Sequence, residues 1–491
     1  MSDKFYTNVQ LYGNNILLRG YENGEKFQTR EQFFPTLYVS SKKPSKWKTL
    51  TGENVQPVKP GTMKECREFI KKYKEVENFN VFGNERFAFQ YIADNYPGEI
   101  QYDPAMINIL SLDIEVESEY GFPDPESAAE EVLLITIQDS LTKQVITWGQ
   151  VKHGEFENKQ ENVQFIPCTD EVHLLSSFMD WWQKNPPDVV TGWNTDYYDI
   201  PYLVRRMKRV MGDKFASGIS PWKFFIEEEH FIKGMKKPYV NIAGITQLDY
   251  LVLYQKFTYT NQESYRLDHI ANVELGQKKL DHSEFETFKD FYRKGWQKFV
   301  EYNIVDVELV DRMEDKLKLI DLAITMAFDA KVNFQDVFSQ VRLWDTIIYN
   351  YLRDRNIVIP QKEQTSKSEK FAGAYVKEPI PGLYEWVVSF DLNSLYPHLL
   401  MQYNISPETL MEERCPNISI DKVLNEEVTF EMYKDYAVCP NGAMYRKDVR
   451  GFLPTLMEKM YDERKAFKKK MLKSKQILVD IEAEMKRRGL Q

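Results

Sequence analysis

The stretch Leu110-Ser-Leu-Asp-Ile-Glu-Val116 alternates apolar and polar residues without a break, the pattern of a β-strand with one face in a core. Leu110, Leu112, Ile114 and Val116 take the core face, so Asp113 and Glu115 share the opposite one, about 7 Å apart along the strand. An isolated Asp-x-Glu is ordinarily a solvated strand face. Two carboxylates at this spacing can also hold a divalent cation together, and one of them can bridge two ions.

Two further segments have matching character. In Val189-Val-Thr-Gly-Trp-Asn-Thr-Asp-Tyr-Tyr-Asp-Ile-Pro201 an apolar strand ends in a glycine turn, and Asp199 follows where strand or loop empties into a cleft. Asp196 lies three residues earlier, and spacing does not choose between the two. In Tyr302-Asn-Ile-Val-Asp306 the i,i+4 spacing stacks a phenol and a carboxylate on one helix face, so Tyr302 can orient a water while Asp306 holds a metal. Four carboxylates gathered without partner lysines repel one another unless cations sit among them. Oxygen donors of this kind suit Mg²⁺ or Mn²⁺ and two-metal phosphoryl chemistry. Zinc hydrolysis is disfavoured, because His153, His173, His230, His269, His282 and His398 show no His-x-x-x-His or related spacing.

Outward from these segments, strand-like runs (Val132–Gln138, Asp188–Gly192, Ile245–Tyr250) alternate with helix-like ones (Val172–Trp182, Tyr202–Met211, Lys298–Lys318), which predicts an α/β sheet domain from about 107 to 319. Apolar runs flanking Lys233–Pro238 predict a long hairpin over Phe225–Ile242. Residues 1–106 read as mixed strand and helix, with alternation at Asn15–Leu18 and Pro35–Val39 and a charged helix at Met63–Val76. A helical stretch, Ile320–Asn356, leads to a polar linker at Pro360–Lys370. A third region starts near Phe371; its clearest strand, Trp386–Leu392, delivers Asp391 and turns at Pro397, and a last helix follows Pro454.

The 491 residues allow two to four domains and a sizeable core, and 14% aromatic residues leave rings for stacking or display. A net charge of −10 argues against a surface that coats nucleic acid or an anionic membrane as a whole. Charge is unevenly spread. Residues 446–491 hold 14 basic and 7 acidic residues, net +7, leaving −17 on the first 445; seven of the basic residues fall between Arg464 and Lys475 with no acid among them. Helical spacing puts Arg464 and Lys468 one turn apart on one face, suited to a triphosphate. Cys66, Cys168, Cys415 and Cys439 form no Cys-x-x-Cys pair, no signal pattern opens the chain, and no run of about 18 apolar residues occurs.

Asp113-Ile-Glu115, Gly192-Trp-Asn194 with Asp199, and Tyr302 with Asp306 resemble the three exonuclease motifs of B-family DNA polymerases in order and approximate spacing. Leu248-Asp-Tyr-Leu251, Thr260-Asn-Gln262 and Ser264-Tyr-Arg-Leu-Asp268 are similar to the T-even-type phage members in particular. The resemblance implies an RNase H-like 3′–5′ exonuclease domain in which Asp113, Glu115, Asp199 and Asp306 hold two Mg²⁺ or Mn²⁺ ions and Tyr302 positions the attacking water. It also favours Asp199 over Asp196, and lets the Phe225–Ile242 hairpin help move the primer end.

Val387-Val-Ser-Phe-Asp-Leu-Asn-Ser-Leu-Tyr-Pro397 resembles motif A of the family's palm. There Asp391 would bind both metals of a second centre, the Leu392 carbonyl would join one, and Ser394, Leu395 and Tyr396 would cradle the nucleotide, Tyr396 beneath its sugar. Gly373–Pro381 is similar to the link that contacts template, through Tyr375 and Lys377. Arg464 and Lys468 fall where the fingers helix grips the triphosphate. The implied fold is α/β and α+β multidomain: an N-terminal domain (1–106, completed by about 320–360), the exonuclease domain (107–319), a partial palm (361–450) and a first fingers helix (451–491).

The family's Lys-x-x-x-Asn-Ser-x-Tyr-Gly and Asp-Thr-Asp strings do not occur in this sequence. The expectation is therefore the N-terminal half of a phage replicative DNA polymerase: a proofreading exonuclease with part of a dNTP and metal site. A second chain would supply motifs B and C and the thumb, a natural split being preferred over a truncation. Expected partners are that C-terminal chain, primer–template DNA, dNTP and, through the second chain, a sliding clamp. No membrane is expected, and the location would be the cytoplasm of an infected bacterial host. The alternatives are a stand-alone 3′–5′ exonuclease, or an RNA-binding translational regulator using residues 1–106 and 320–360, including Lys42–Lys48.

Overall fold

In the computed structural model the described residues are 4–489, apart from 75, 77, 78, 120, 233 and 363–375. The chain forms two units, Met1–Trp47 with Asn54–Gln361, and Lys48–Glu53 with Lys362–Gln491.

In the first unit the alternation around Asp113 becomes the strand Ile109–Val116, inside a six-stranded mixed sheet. Val132–Asp139 pairs antiparallel on one side, followed by Val145–Gln150 and then, parallel, Val163–Cys168. Val189–Thr191 and then Thr246–Gln247 add parallel strands on the other. Because side chains alternate, the two faces of the central strand meet different layers. Leu110, Leu112 and Ile114 pack with Phe178 and Trp182 of helix Glu171–Lys184 and Leu203 and Met207 of helix Asp199–Met211. Across the sheet, Leu133, Leu134 and Val145 pack with Phe299, Val300, Ile304 and Val307 of helix Trp296–Leu317. That places Asp113 and Glu115 beneath the helix that carries Tyr302 and Asp306.

The expected strand Ile245–Tyr250 shrinks to Thr246–Gln247, because Asp249 caps helix Tyr250–Phe257 by accepting from the Leu251 and Val252 N–H groups. The hairpin at Phe225–Ile242 forms, with Phe225–Ile232 paired antiparallel to Met235–Ile242. Val145–Gln150 and Val163–Cys168 are strands that the sequence pattern did not announce.

The N-terminal strands Lys4–Tyr12, Asn15–Glu22 and Glu25–Gln32 form an antiparallel meander. The stretch 320–356 is two helices, Leu319–Ala330 and Gln340–Arg353, rather than one, with Lys331 at φ +57° and an Asn333–Asp336 capping box between them. These helices share a core with the meander: Phe5 and Tyr6 meet Phe328 edge-on. Tyr6 donates to the Val332 carbonyl at 2.7 Å, and Asn333 accepts from Val9 N–H at 2.7 Å and donates to its carbonyl at 2.9 Å.

The meander is also tied to the larger sheet at Asp188, which is fully buried just before strand Val189–Thr191. It accepts from Tyr21 at 2.7 Å, Thr7 at 3.2 Å and Asn108 N–H at 3.0 Å. The buried Arg19 guanidinium lies 3.6 Å away and Lys26 3.0 Å away. Arg19 also donates to the Pro187 and Gly244 carbonyls.

In the second unit the expected strand Trp386–Leu392 is absent: the segment has no regular structure, and Trp386 and Phe390 are 95% and 89% exposed. Aromatic and β-branched residues favour a strand only where a neighbour completes the ladder, and among the described residues none pairs with this segment. Pro397 likewise is not in a turn but in the first turn of helix Leu395–Gln402, where its missing N–H costs nothing. Tyr375 and most of the expected linker at 360–370 lie outside the described residues. A short hairpin, Tyr436–Val438 with Met444–Arg446, precedes the 36-residue helix Phe452–Arg487. No helix among the described residues is long and apolar enough to cross a membrane.

Replacing Asp188 with Ala strands Arg19 as a buried unpaired charge, which costs about 3–5 kcal/mol. Urea unfolding of Asp188→Ala should move to markedly lower denaturant, and hydrogen exchange should lose protection first in residues 4–32. Wild-type behaviour would show that the joint carries no stability.

Candidate active site

Three carboxylates from two elements converge. One oxygen from each of Asp113, Glu115 and Asp306 lies within 4.8 Å of the others, the only such acidic, histidine or cysteine group among the described residues. Strand periodicity places the first two on one face, and helix Trp296–Leu317, packed over that face, supplies the third. Asp199, the buried first residue of its helix, accepts from the Ile114 N–H at 3.2 Å and so sits against the same strand. Asp196 turns away, toward Gln247 at 3.3 Å and the carboxylate of Asp249.

Burial sets the electrostatics. Desolvation pushes the Asp113 carboxyl well up, and the charges of Asp199, Asp306 and Glu115 push it further. Glu115 is pushed up to about 8 by burial and by Asp306; Asp199 to about 7, chiefly by burial. Asp306 is raised by burial as well, and one of its oxygens, Oδ1, is buried with no hydrogen-bond partner. Hard anionic oxygens, mutual repulsion and an unsatisfied buried acceptor together fit a divalent cation coordinated by oxygen.

The expectation that no lysine accompanies these carboxylates is wrong. Lys279 pairs with Asp306, donates to the Tyr302 hydroxyl at 3.0 Å and lies 4.8 Å from the centroid of that ring. It offsets part of the repulsion, and its own proton is held more tightly through Asp306 although burial opposes this. Burial and Asp306 also keep the Tyr302 phenol protonated far above neutrality.

Two more residues belong to this arrangement. Asn303 donates to Asp113 at 2.6 Å, orienting the carboxylate. Tyr302, Asn303 and Asp306 are an i, i+1, i+4 set whose i+1 member the phenol–carboxylate reading passed over. Asp249 accepts from the Asn194 and Asp196 N–H groups at 3.2 and 3.1 Å besides capping its own helix, so it clamps the loop leading to Asp199. An Asp before the apolar run 250–257 is an N-cap signal legible in the sequence. Lys279, in the polar string Gln277-Lys-Lys-Leu280, carries no such signal.

The second group of expected site residues is only loosely gathered. Asp391, Leu392, Tyr396, Arg464 and Lys468 are exposed. Ser394, at φ +55°, opens helix Leu395–Gln402, and the Arg464 guanidinium reaches its hydroxyl at 3.5 Å. His398 meets the Tyr461 ring edge-on at 4.7 Å, holding that helix to Phe452–Arg487. Asp391 meets no second carboxylate in a metal-binding group among the described residues.

Two family models match the chain and together cover more than half of it: "DNA polymerase family B, exonuclease domain" over residues 70–270, and "DNA polymerase family B" over residues 338–482. The chain belongs to DNA polymerase family B. The first match contains Asp113, Glu115 and Asp199, the second Asp391 and the basic run Arg464–Lys475. The chain is 32% identical over 500 residues to the DNA-directed DNA polymerase of Escherichia phage RB69, covering 96% of this chain and 54% of the relative. With that of Enterobacteria phage T4 it shares 33% over 496 residues, 95% of this chain and 54% of the relative. A DNA polymerase of Pyrococcus glycovorans is 26% identical over 399 residues, 79% and 46% of the two chains. This family-B chain thus spans about half the length of the curated relatives it matches.

The raised carboxyls make a stability prediction. Unfolded carboxyls ionise near pH 4, whereas Glu115 and Asp199 hold their protons to about 8 and 7 in the fold. Between those limits the native state binds more protons, so stability falls as pH rises. Without divalent ions the unfolding temperature should drop from pH 5 to pH 9, and Glu115→Gln should flatten the drop. Added Mg²⁺ should raise it more at pH 8 than at pH 5; equal effects at both would contradict a metal-binding cluster.

Proposed function

We propose that this chain is a 3′–5′ exonuclease of the family-B kind, hydrolysing single-stranded or frayed primer ends, and that it carries part of a dNTP site. The observation that carries the reading is the convergence of Asp113, Glu115 and Asp306, with Asp199 alongside, around Tyr302 and Lys279. The mixed sheet with helices on both faces supports an RNase H-like fold for residues 107–319. In this reading 1–106 with about 320–360 form the N-terminal domain, 361–450 a partial palm and 451–491 a fingers helix.

Asp113, Glu115, Asp199 and Asp306 would hold two Mg²⁺ or Mn²⁺ ions, which when bound supply a hydroxide at neutral pH and stabilise the leaving 3′ oxygen. The residues themselves do the positioning. Lys279 donates to Tyr302, so the phenolic hydrogen is free to point at a water or a phosphate oxygen. Asn303 locks one Asp113 oxygen and leaves the other for the ligand side. Asp249 fixes the loop through which Asp199 enters the site, and a shift of about 1 Å there is enough to lose much of the rate.

In the second unit Asp391 and the Leu392 carbonyl would hold metal, Ser394, Leu395 and Tyr396 the nucleotide, and Arg464 and Lys468 the triphosphate. The Arg464–Ser394 approach supports that grouping. DNA synthesis from primer–template and dNTP is proposed for this region together with the remaining family-B sequence, carried on this polypeptide or a second one. A clamp would be reached through that remainder, and the cytoplasm of an infected host suits such an enzyme.

Purified chain with Mg²⁺ should shorten 5′-labelled single-stranded DNA one nucleotide at a time from the 3′ end. Asp113→Ala and Asp306→Ala should each slow this about 10³-fold, several kcal/mol of transition-state stabilisation. Undiminished cleavage in either variant would refute the assignment. Lys279→Met should lower kcat with little change in KM, since Lys279 acts on Tyr302 and Asp306 rather than on the strand.

A further inference from the structure

The loop that delivers Asp199 is held at its start by Asp249, which accepts from the Asn194 and Asp196 N–H groups. Two residues before Asp199 it makes a second attachment, directed outward rather than toward the sheet. The Tyr197 hydroxyl lies 3.3 Å from Nδ1 of His230, on the hairpin Phe225–Ile242. A phenol keeps its hydrogen at neutral pH, so Tyr197 donates and Nδ1 accepts. The hydrogen of the neutral imidazole then sits on Nε2, which faces Glu228 at 3.4 Å.

The imidazole is fixed in this orientation by the opposite hairpin strand. It stacks on Tyr239 with centroids 4.2 Å apart and planes 15° from parallel, and the Tyr197 ring approaches the two at 6.0 and 6.1 Å. The register explains the contact: Tyr239 is paired with Glu228 and Lys237 with His230, so His230 and Tyr239 are diagonal neighbours on one face. The hairpin is in turn anchored on the helix that Asp199 opens. Glu227 accepts from Arg205 at 3.1 Å and Lys208 at 2.7 Å, and Val240 and Ile242 share a core with Leu203 and Met207 of that helix. The hairpin thus spans from the body of helix Asp199–Met211 to the loop before its first residue, and the Tyr197–His230 bond closes the span.

We propose that Tyr197 and His230 are positioning residues for Asp199, the hairpin serving as a brace that fixes the end of its loop as Asp249 fixes the start. The assignment rests on the exonuclease reading, in which Asp199 is a metal ligand. It is separate from the expected part of this hairpin in moving a primer end. A brace on Asp199 is needed for hydrolysis of every strand, including single-stranded DNA that has no duplex to leave.

On 5′-labelled single-stranded DNA with Mg²⁺, Tyr197→Phe should lower kcat about 5-fold with KM unchanged, the effect of losing one neutral hydrogen bond. His230→Phe, which keeps a ring on Tyr239, should cost the same. The double variant should be no slower than either single one, because both act through one bond. His230→Asn, which places an acceptor near the position of Nδ1, should recover part of the loss. Hydrogen exchange at the Ile114 amide, which donates to Asp199, reads the brace without catalysis and should quicken about 5-fold in Tyr197→Phe and His230→Phe. A defect confined to duplex primer ends, losses that multiply in the double variant, or Ile114 exchange unchanged in both single variants would each overturn the proposal. A nuclease with unaltered kcat and exchange in these variants sinks only the brace. Quickened exchange in a chain that hydrolyses no DNA sinks the exonuclease reading and leaves the brace standing.

Discussion

Carboxylates brought together out of water repel one another, and the first unit is arranged around holding four of them where they would not stay unaided. Three restraints deliver them. The ladder on both sides of Ile109–Val116 fixes Asp113 and Glu115, the packing of Phe299, Ile304 and Val307 fixes the height of Asp306, and the Asp249 clamp fixes the loop before Asp199. The Lys279 ammonium lowers the repulsion without removing it, because one cation faces several acids. What remains unbalanced is a charge that a divalent cation would offset.

The same logic operates in reverse at Asp188. There a single buried carboxylate is surrounded by donors, among them Tyr21, Thr7, Arg19 and the Asn108 N–H, and needs no ion. At one site burial and neighbouring acids raise the carboxyls, and the other is satisfied within the protein. The difference lies in the donors nearby rather than in the depth of burial, since Asp188 and Asp199 are both buried.

Much of the first site was legible from periodicity. The alternation of 110–116 announced a strand with two acids on one face, and the four-residue interval from Tyr302 to Asp306 announced a helix face; each is a local pattern with a local cause. The hairpin at 225–242 was legible for the same reason. Lys279 was not, because a lysine in a polar loop has no period, and its partner Asp306 is 27 residues away in sequence. Trp386–Leu392 failed in the opposite sense. Its composition is that of a strand, but strand formation is a property of a pair, and the segment has no partner among the described residues. Asp199 and Asp196 were chemically equivalent on paper and were separated by three-dimensional neighbours, the Ile114 N–H for one and Gln247 for the other.

The joint between the first strand and the helices near residue 330 has a consequence for how the chain is born. Tyr6 finds the Val332 carbonyl 326 residues downstream, and Val9 finds Asn333 at a separation of 324. Synthesis at roughly 5–20 residues per second leaves those apolar strands without their partners for about 20–60 s. The large sheet, whose strands are nearer neighbours in sequence, can assemble within that interval and present Asp188 to Tyr21 and Arg19 first. On this ordering the strands Lys4–Tyr12 and Asn15–Glu22 are among the last parts of their unit to be closed, although they are synthesised before the rest of it.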